Sequence, residues 1–247
     1  MPPMNPTQGN REGQPEPADL ILSSGFLAFA RHVGVLRALR ERDVAIDAVV
    51  GTSSGAVVGA LWAAGHSIEE IVQALDERQP YTLMRPHLVP WRGLFSLGPL
   101  HAYLAARLPA TFEELQRPLA LGVKTASGGH QLLTSGDLCD AVLASVSMPY
   151  VFAPMRIDGQ AYQDGGAVDR LGFRSWRSWR GDRPVVVHRV RKTAGTDVDD
   201  DLGSALLIET PRSGASFFSL GDFRGQVSEA EQIALTALDS QMAQNSF

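Results

Sequence analysis

A chain of 247 residues with a single cysteine, Cys139, has no internal disulfide and no cysteine-rich zinc site. It also lacks any run of 18 or more apolar residues, the length a membrane-spanning helix needs. The opening segment, MPPMNPTQGNREGQPEPAD, has no apolar stretch of the kind found in a secretory signal. A large charge excess is missing too. The 22 Lys and Arg against 27 Asp and Glu leave a net charge of -5, so nucleic acid is not expected as a partner. Together these absences point to a reducing, cytoplasmic compartment. What remains is ordinary: 44% apolar and 20% charged residues, enough to bury a sizeable core.

Residues 1–18 hold five Pro, two Gly and no aromatic residue, and read as a disordered tail. One domain is expected over residues 19–247, since no linker or domain-sized repeat divides them. Leu20-Ile21-Leu22 runs into Ser23-Ser24-Gly25 as a buried strand entering a turn. Val33, Leu36 and Leu39 recur at helical spacing between Arg31 and Arg42. Ile46–Val50 is a second strand, followed by the small-residue helix 56–64 with Gly65 to end it. Strand, helix, strand, helix is the start of an α/β sheet with parallel strands.

Further on, Ser67 with Glu70 predicts a capping box on a helix to Leu75. Four prolines make residues 80–100 a loop or cap. Helices are expected at 100–108, 111–116, 137–146 and 228–242. Strands are expected at 119–123, 131–133 and 184–190, with a hairpin about Asp158-Gly159.

Between the second strand and its helix stands Gly51-Thr52-Ser53-Ser54-Gly55, which fits G-x-S-x-G. Such an elbow exposes a serine hydroxyl at a sharp strand-to-helix turn, where the helix N-terminus favours a developing oxyanion. Ser54 is the rival nucleophile, with the wrong spacing to the glycines. Asp164-Gly165-Gly166 taken alone is only a turn.

Several ordered stretches together resemble the patatin-like phospholipase family: His32-Val33-Gly34-Val35-Leu36, the elbow with Ala56, and Leu133-Thr134-Ser135-Gly136-Asp137. Ala144-Ser145-Val146-Ser147-Met148-Pro149, Phe152-Ala153-Pro154 and Asp158 to Gly166 continue the likeness over nearly the whole ordered chain. The resemblance implies a three-layer α/β fold, a central mostly parallel sheet with helices on both faces. It implies a serine lipid acyl hydrolase without metal or cofactor, acting on acyl-ester lipids, with Ser53 as nucleophile and Asp164 as its base in a dyad without histidine. It also places the oxyanion loop at Ser24, Gly25, Phe26 and Leu27.

That loop departs from the family's glycine-rich G-G-G-x-R/K-G. Only one glycine remains in Ser24-Gly25-Phe26-Leu27-Ala28-Phe29, and the basic residue is absent. A gap-free alignment puts Ala28 at the basic position, whereas a shift of one residue matches Gly25-Phe26-Leu27-Ala28 to a Gly-Phe-Leu-Gly version. A lipid-binding protein with an impaired oxyanion hole is therefore one alternative, and an acyltransferase another. Phe26, Leu27 and Phe29 suit core packing and an acyl-chain lining equally.

Among the six histidines, His188 follows Asp164 in the order of an α/β-hydrolase triad but lies inside a strand. His32 is expected to support the oxyanion loop or its helix. Asp199-Asp200-Asp201 reads as a solvated acidic loop. Eight basic residues and one acid between Arg170 and Lys192 suggest either a solvated loop or a peripheral membrane contact through Arg174, Trp176, Arg177, Trp179 and Arg180.

Overall fold

The computed structural model describes residues 16–86, 93–192 and 201–245. It opens with the expected alternation: β1 (Ala18–Leu22), α1 (Phe29–Glu41), β2 (Ile46–Thr52), α2 (Ser54–Ala63) and α3 (Ile68–Asp76). The capping box at Ser67 and Glu70 forms in full. Next come the short pair β3 (Arg85–Pro86) and β4 (Phe95–Ser96), α4 (Gly98–Ala105), β5 (Leu119–Thr125), β6 (His130–Leu133) and α5 (Leu138–Val146). The hairpin of β7 (Met155–Ile157) and β8 (Gln160–Asp164) turns at Asp158 and Gly159, both at positive φ. The last elements are α6 (Phe173–Arg180), β9 (Val185–Val190), β10 (Leu206–Thr210) and α7 (Phe223–Asn245).

The main sheet runs β10-β9-β1-β2-β5-β8-β7, with β6 also on β5. Its first five strands are mutually parallel, while β6, β8 and β7 join in antiparallel pairs. The sheet is buried on both faces because alternate residues turn opposite ways. Leu20, Leu22, Val49, Leu119, Leu121 and Val186 face a large cluster with residues from α1, α2, α3, α5 and α7. Ile21, Val50, Ala120, Val185 and Val187 face Leu171, Phe173 and Trp176. The second layer is therefore thin, and α6 with Leu171, two residues ahead of it, supplies its three large buried side chains.

Several expectations need correction. Ala18, placed in the tail, already belongs to β1, while residues 1–15 lie outside those described. The predicted helix 111–116 is only a 3-10 turn at Phe112–Glu114. The segment 80–100 holds a 3-10 turn, the β3-β4 pair and the start of α4, with residues 87–92, His87 among them, outside the description. Asp199 and Asp200 are also outside it, and Asp201 accepts the Gly203 N–H at 2.9 Å.

The basic stretch is a helix, not a loop. Gly172 and Gly181, both at positive φ, bracket α6, whose Phe173 and Trp176 are buried in the second layer. Trp176 donates its indole N–H to Asp19 at 2.8 Å, and Arg180 donates to the same carboxylate at 2.9 Å and also reaches Asp47. Trp176 is thus withdrawn from any membrane, and Arg180 is engaged inside the fold. Arg177 lies 3.5 Å from Asp182 and over the Phe173 ring, and Trp179 is half-buried. Asp19 and Asp47 lie near the starts of β1 and β2, so this cluster occupies the end of the sheet opposite the elbow. No described helix is long and apolar enough to cross a membrane.

Candidate active site

Strand register brings Ser53 and Asp164 together. Val123 of β5 pairs with Gln131 of β6 and with Asp164 of β8, so those two strands lie on opposite edges of β5. Leu121 pairs with Leu133 of β6 and with Gly51 of β2, so β2 also lies opposite β6. β2 and β8 therefore follow one another along a single edge of β5. Thr52 stands opposite Gly122 and Asp164 opposite Val123, so the chain turns out of the sheet at Ser53 where β8 ends.

The elbow is strained and tightly packed. Ser53 has φ 55° and ψ -115°, an outlying conformation for a residue with a side chain. A Cβ on Gly51 would stand 2.4 Å from the Gly55 carbonyl oxygen, and one on Gly55 would stand 2.2 Å from that of Leu22. Both glycines are required by close backbone approach. The Ser53 N–H donates to Ser145 Oγ at 3.0 Å, whose hydroxyl donates to the Gly122 carbonyl at 2.7 Å. Ser145 fixes the elbow to β5. Its role went unassigned in the sequence because a serine inside an apolar helix carries no local signal of its partner.

Asp164 is buried with no cation beside it among the described residues. Burial pushes its carboxyl up to about 6, although the Ser53 hydroxyl and the Gly166 N–H, 2.8 Å away, both pull it down. The two glycines that follow allow this fit. A Cβ on Gly165 would meet the Gly122 backbone at 2.7 Å, and one on Gly166 would lie 2.3 Å from Ser24 Oγ.

The loop from Ser24 to Ala28 is a turn closed by Ala28 N–H to the Gly25 carbonyl at 3.3 Å, with Leu27 at φ 47°. The Ser24 N–H donates to the Arg170 carbonyl at 2.8 Å, which removes Ser24 from the set of oxyanion donors. The N–H groups of Gly25, Phe26 and Leu27 meet no acceptor among the described residues. The N–H of Ser54, at the first position of α2, is likewise left unused by the helix.

Arg170 holds this loop from behind. Its buried guanidinium donates to the carbonyls of Ser24 at 2.8 Å and Val190 at 2.6 Å. A cation thus supports the loop although the loop itself contains none. Sequence reasoning counted Arg170 among the surface basic residues. The apolar Leu171 beside it was the one available hint of burial.

The histidines stand elsewhere. His32 and His188 share an Nδ1–Nδ1 contact of 2.9 Å, His32 Nε2 reaches Ser54 Oγ at 3.1 Å, and His188 Nε2 reaches Thr210 Oγ1 at 2.9 Å. Burial holds both rings neutral, His32 pushed down to about 3 and His188 well below its ordinary value. One nitrogen of the Nδ1 pair donates to the other, so the chain from Ser54 to Thr210 is a linked row of neutral groups. His188 is therefore a core residue bound to His32 and Thr210, and His32 braces the residue after the elbow serine.

An apolar cavity opens over the elbow. Ser53 and Ser54 lie in its wall with Phe26, Leu27, Phe29, Leu97, Met148 and Phe217. Phe26, Leu27 and Phe29 thus line it, and Leu27 and Phe29 pack on the core as well. Pro80, Leu83 and Met84 also contribute, so part of the segment expected as a loop or cap lines the site.

With this geometry in view, comparison with known proteins is decisive for family. A profile of the patatin-like phospholipases matches residues 20–175. The chain belongs to that family. An uncharacterized NTE-family protein of Mycobacterium tuberculosis is 30% identical over 210 residues, covering 83% of this chain and 58% of the relative. This chain thus spans less than two thirds of that relative's length. Neuropathy target esterase sws of Drosophila grimshawi is 29% identical over 161 residues, 62% of this chain but 11% of that protein. The crystal structure of VipD from Legionella pneumophila superposes with a TM-score of 0.55 at 13% identity, covering 92% of this chain and 67% of that one. That likeness shows a shared fold.

Proposed function

We propose that this chain is a serine acyl hydrolase that cleaves acyl esters of phospholipids or related lipids through Ser53, Asp164 and a covalent acyl-enzyme. The observation that carries the reading is a strained serine in the wall of an apolar cavity, next to a buried aspartate without a cation. An exposed carboxylate, with a pKa near ~3.9, is a poor base for a hydroxyl. Desolvation moves Asp164 toward neutral pH, where a general base works best.

In this mechanism Asp164 takes the proton as Ser53 Oγ attacks the ester carbonyl. The acyl chain lies along Phe26, Leu27, Phe29 and Met148. The N–H groups of Gly25, Phe26, Leu27 and Ser54 are the available donors for the oxyanion, near the positive end of α2. The leaving alcohol takes the proton from Asp164. Water, deprotonated by the same carboxylate, then attacks the acyl-enzyme and releases the fatty acid.

Labelling with a fluorophosphonate, followed by mass mapping of the modified peptide, tests the reading. Modification at Ser53 is expected and should vanish in Ser53→Ala. A folded protein that takes no label and turns over no ester would instead be a lipid-binding member of the family, its loop disabled by Leu27 at a position that favours glycine. Product analysis with an added acceptor alcohol separates hydrolysis from acyl transfer.

A further inference from the structure

Tyr81, Leu94, Tyr150 and Phe218 are 52%, 55%, 92% and 78% exposed, and they belong to three segments that each supply the cavity wall. Tyr81 follows Pro80 and contacts the Phe218 ring with centroids 6.5 Å apart. Phe218 follows Phe217, which packs edge-on against Phe26 at 5.1 Å. Tyr150 lies between Met148 and Phe152, and Leu94 precedes Phe95, which bonds to Val151 at 3.0 Å and bridges to Phe152. Each of the four is therefore carried by a segment whose neighbouring residues line the cavity. Among the described residues five large apolar side chains are exposed, and of these only Met242, near the end of α7, is elsewhere.

Tyr150 adds a second observation. Its backbone sits at φ 69°, where an ordinary side chain is disfavoured, and the ring it carries is almost wholly in solvent. The turn from Met148 to Val151, closed by the Val151 N–H to the Met148 carbonyl at 3.2 Å with Pro149 at its second position, accounts for that φ, while the ring at its tip makes no use of the fold's interior and is left to solvent.

We propose that this rim is the face on which the protein settles on a phospholipid bilayer, so that an acyl chain passes from the membrane into the cavity. The proposal rests on the acyl-hydrolase reading of Ser53. Tyrosine and phenylalanine suit the membrane interface, where a ring is half immersed and a hydroxyl meets headgroups. A flat protein partner would close over the cavity and leave it void, whereas a lipid chain fills it. The basic helix α6 is the weaker candidate for the main anchor, because Trp176 is buried and Arg180 is engaged with Asp19. Aromatic insertion, unlike attraction of arginines to anionic lipid, resists salt.

Co-sedimentation with phosphatidylcholine vesicles decides the matter. The wild type and Ser53→Ala should sediment equally, and added salt should change little. The triple variant Tyr81→Ser, Tyr150→Ser, Phe218→Ser should lose vesicle partition by about tenfold or more, while keeping soluble aryl-ester hydrolysis within about twofold. Should the triple variant not fold, Tyr150→Ser alone, at a side chain in open solvent, should lose about threefold. Equal sedimentation of variant and wild type overturns the proposal, as does binding only to anionic vesicles that salt abolishes. A wild-type dimer that the triple variant breaks into monomers, without vesicle binding, assigns the rim to a second copy and also overturns it. Vesicle binding by a wild type that takes no fluorophosphonate label keeps the surface and removes the chemistry instead.

Discussion

Two aspartates are buried at opposite ends of the same sheet, and their surroundings could hardly differ more. Asp19, at the start of β1, accepts the Trp176 indole N–H at 2.8 Å and the Arg180 guanidinium at 2.9 Å, with Arg183 3.8 Å away. Asp164, at the end of β8, has the Gly166 N–H, the Ser53 hydroxyl and, among the described residues, no ion pair. A buried carboxylate with a cation is a completed structural contact. One without a cation is held at a cost and remains able to accept a proton. The backbone repeats the contrast. Around α6, positive φ falls on Gly172, Gly181 and Asp43, residue types that tolerate it, while around the cavity it falls on Leu27, Ser53 and Tyr150. Strain on residues that do not tolerate it and a carboxylate with no described cation coincide beside the cavity, and that coincidence supports Ser53 and Asp164 as the proposed reacting pair better than burial alone does.

The largest effect expected from this contrast is on turnover. Asp164→Asn keeps shape and the Gly166 contact but removes the base, so ester hydrolysis should fall by roughly 10²–10⁴, the usual worth of a general base. Asp19→Asn should leave turnover per folded molecule unchanged. Steady-state kinetics on a short-chain aryl ester, with active protein counted by fluorophosphonate, makes the comparison. A large loss in Asp19→Asn with intact folding would break it.

For stability the order reverses. Asp19→Ala strands the Trp176 N–H and takes a partner from Arg180, so urea unfolding should show a loss of roughly 2–4 kcal/mol. Part of that cost is relieved because Arg180 also reaches Asp47 and stands partly in solvent.

Asp164→Asn should do the opposite, and its effect depends on pH. The folded carboxyl titrates at about 6, above its unfolded value, so folding favours the protonated form. Its stabilising contribution is full below about pH 4 and is lost as pH rises through 6. The variant should therefore match the wild type near pH 4 and exceed it by on the order of 1–3 kcal/mol above pH 7. Acid loading of His32 and His188 destabilises both proteins below their unfolded value near ~6.5 and cancels in the difference. Wild-type kcat/KM should fall as pH drops below about 6. A flat difference in stability from pH 4 to 8 would mean that Asp164 is not held as a lone buried charge.

How much of this was legible in the sequence divides along the same line. The first half of the sheet was readable because its signals are local: the apolar run at Leu20–Leu22, the glycines at 51 and 55, the box at Ser67 and Glu70. The pairing of Ser53 with Asp164 came from family resemblance, since no local pattern links residues so far apart. The register of β5 supplies its physical reason. Helix α6 was missed because the Arg-Ser-Trp repeat looked like surface, although Phe173 and Trp176 share a helical face between two glycines. The clamp by Arg170 was not readable at all, because its acceptors are backbone carbonyls of two distant segments. Strand β10 lies directly after a polar stretch and offered only five residues of pattern.

The smallest expected effect concerns Leu27, where strain and packing oppose each other. Its φ of 47° lies in the left-handed region, which costs an ordinary residue roughly 1–2 kcal/mol and a β-branched one more. Its side chain also lines the cavity and touches the core. Valine removes one carbon but stiffens the backbone, whereas glycine removes the whole side chain and frees it. If packing governs the position, Leu27→Gly is the worse substitution. If backbone conformation governs, Leu27→Val is worse, and it also tilts the N–H groups of the loop away from Ser53. The second outcome is expected: Val should be less stable than Gly by about 1 kcal/mol in paired urea titrations, with the lower ester turnover. The opposite ranking would move Leu27 from the strained side of the comparison to the packed side, alongside Phe173 and Trp176.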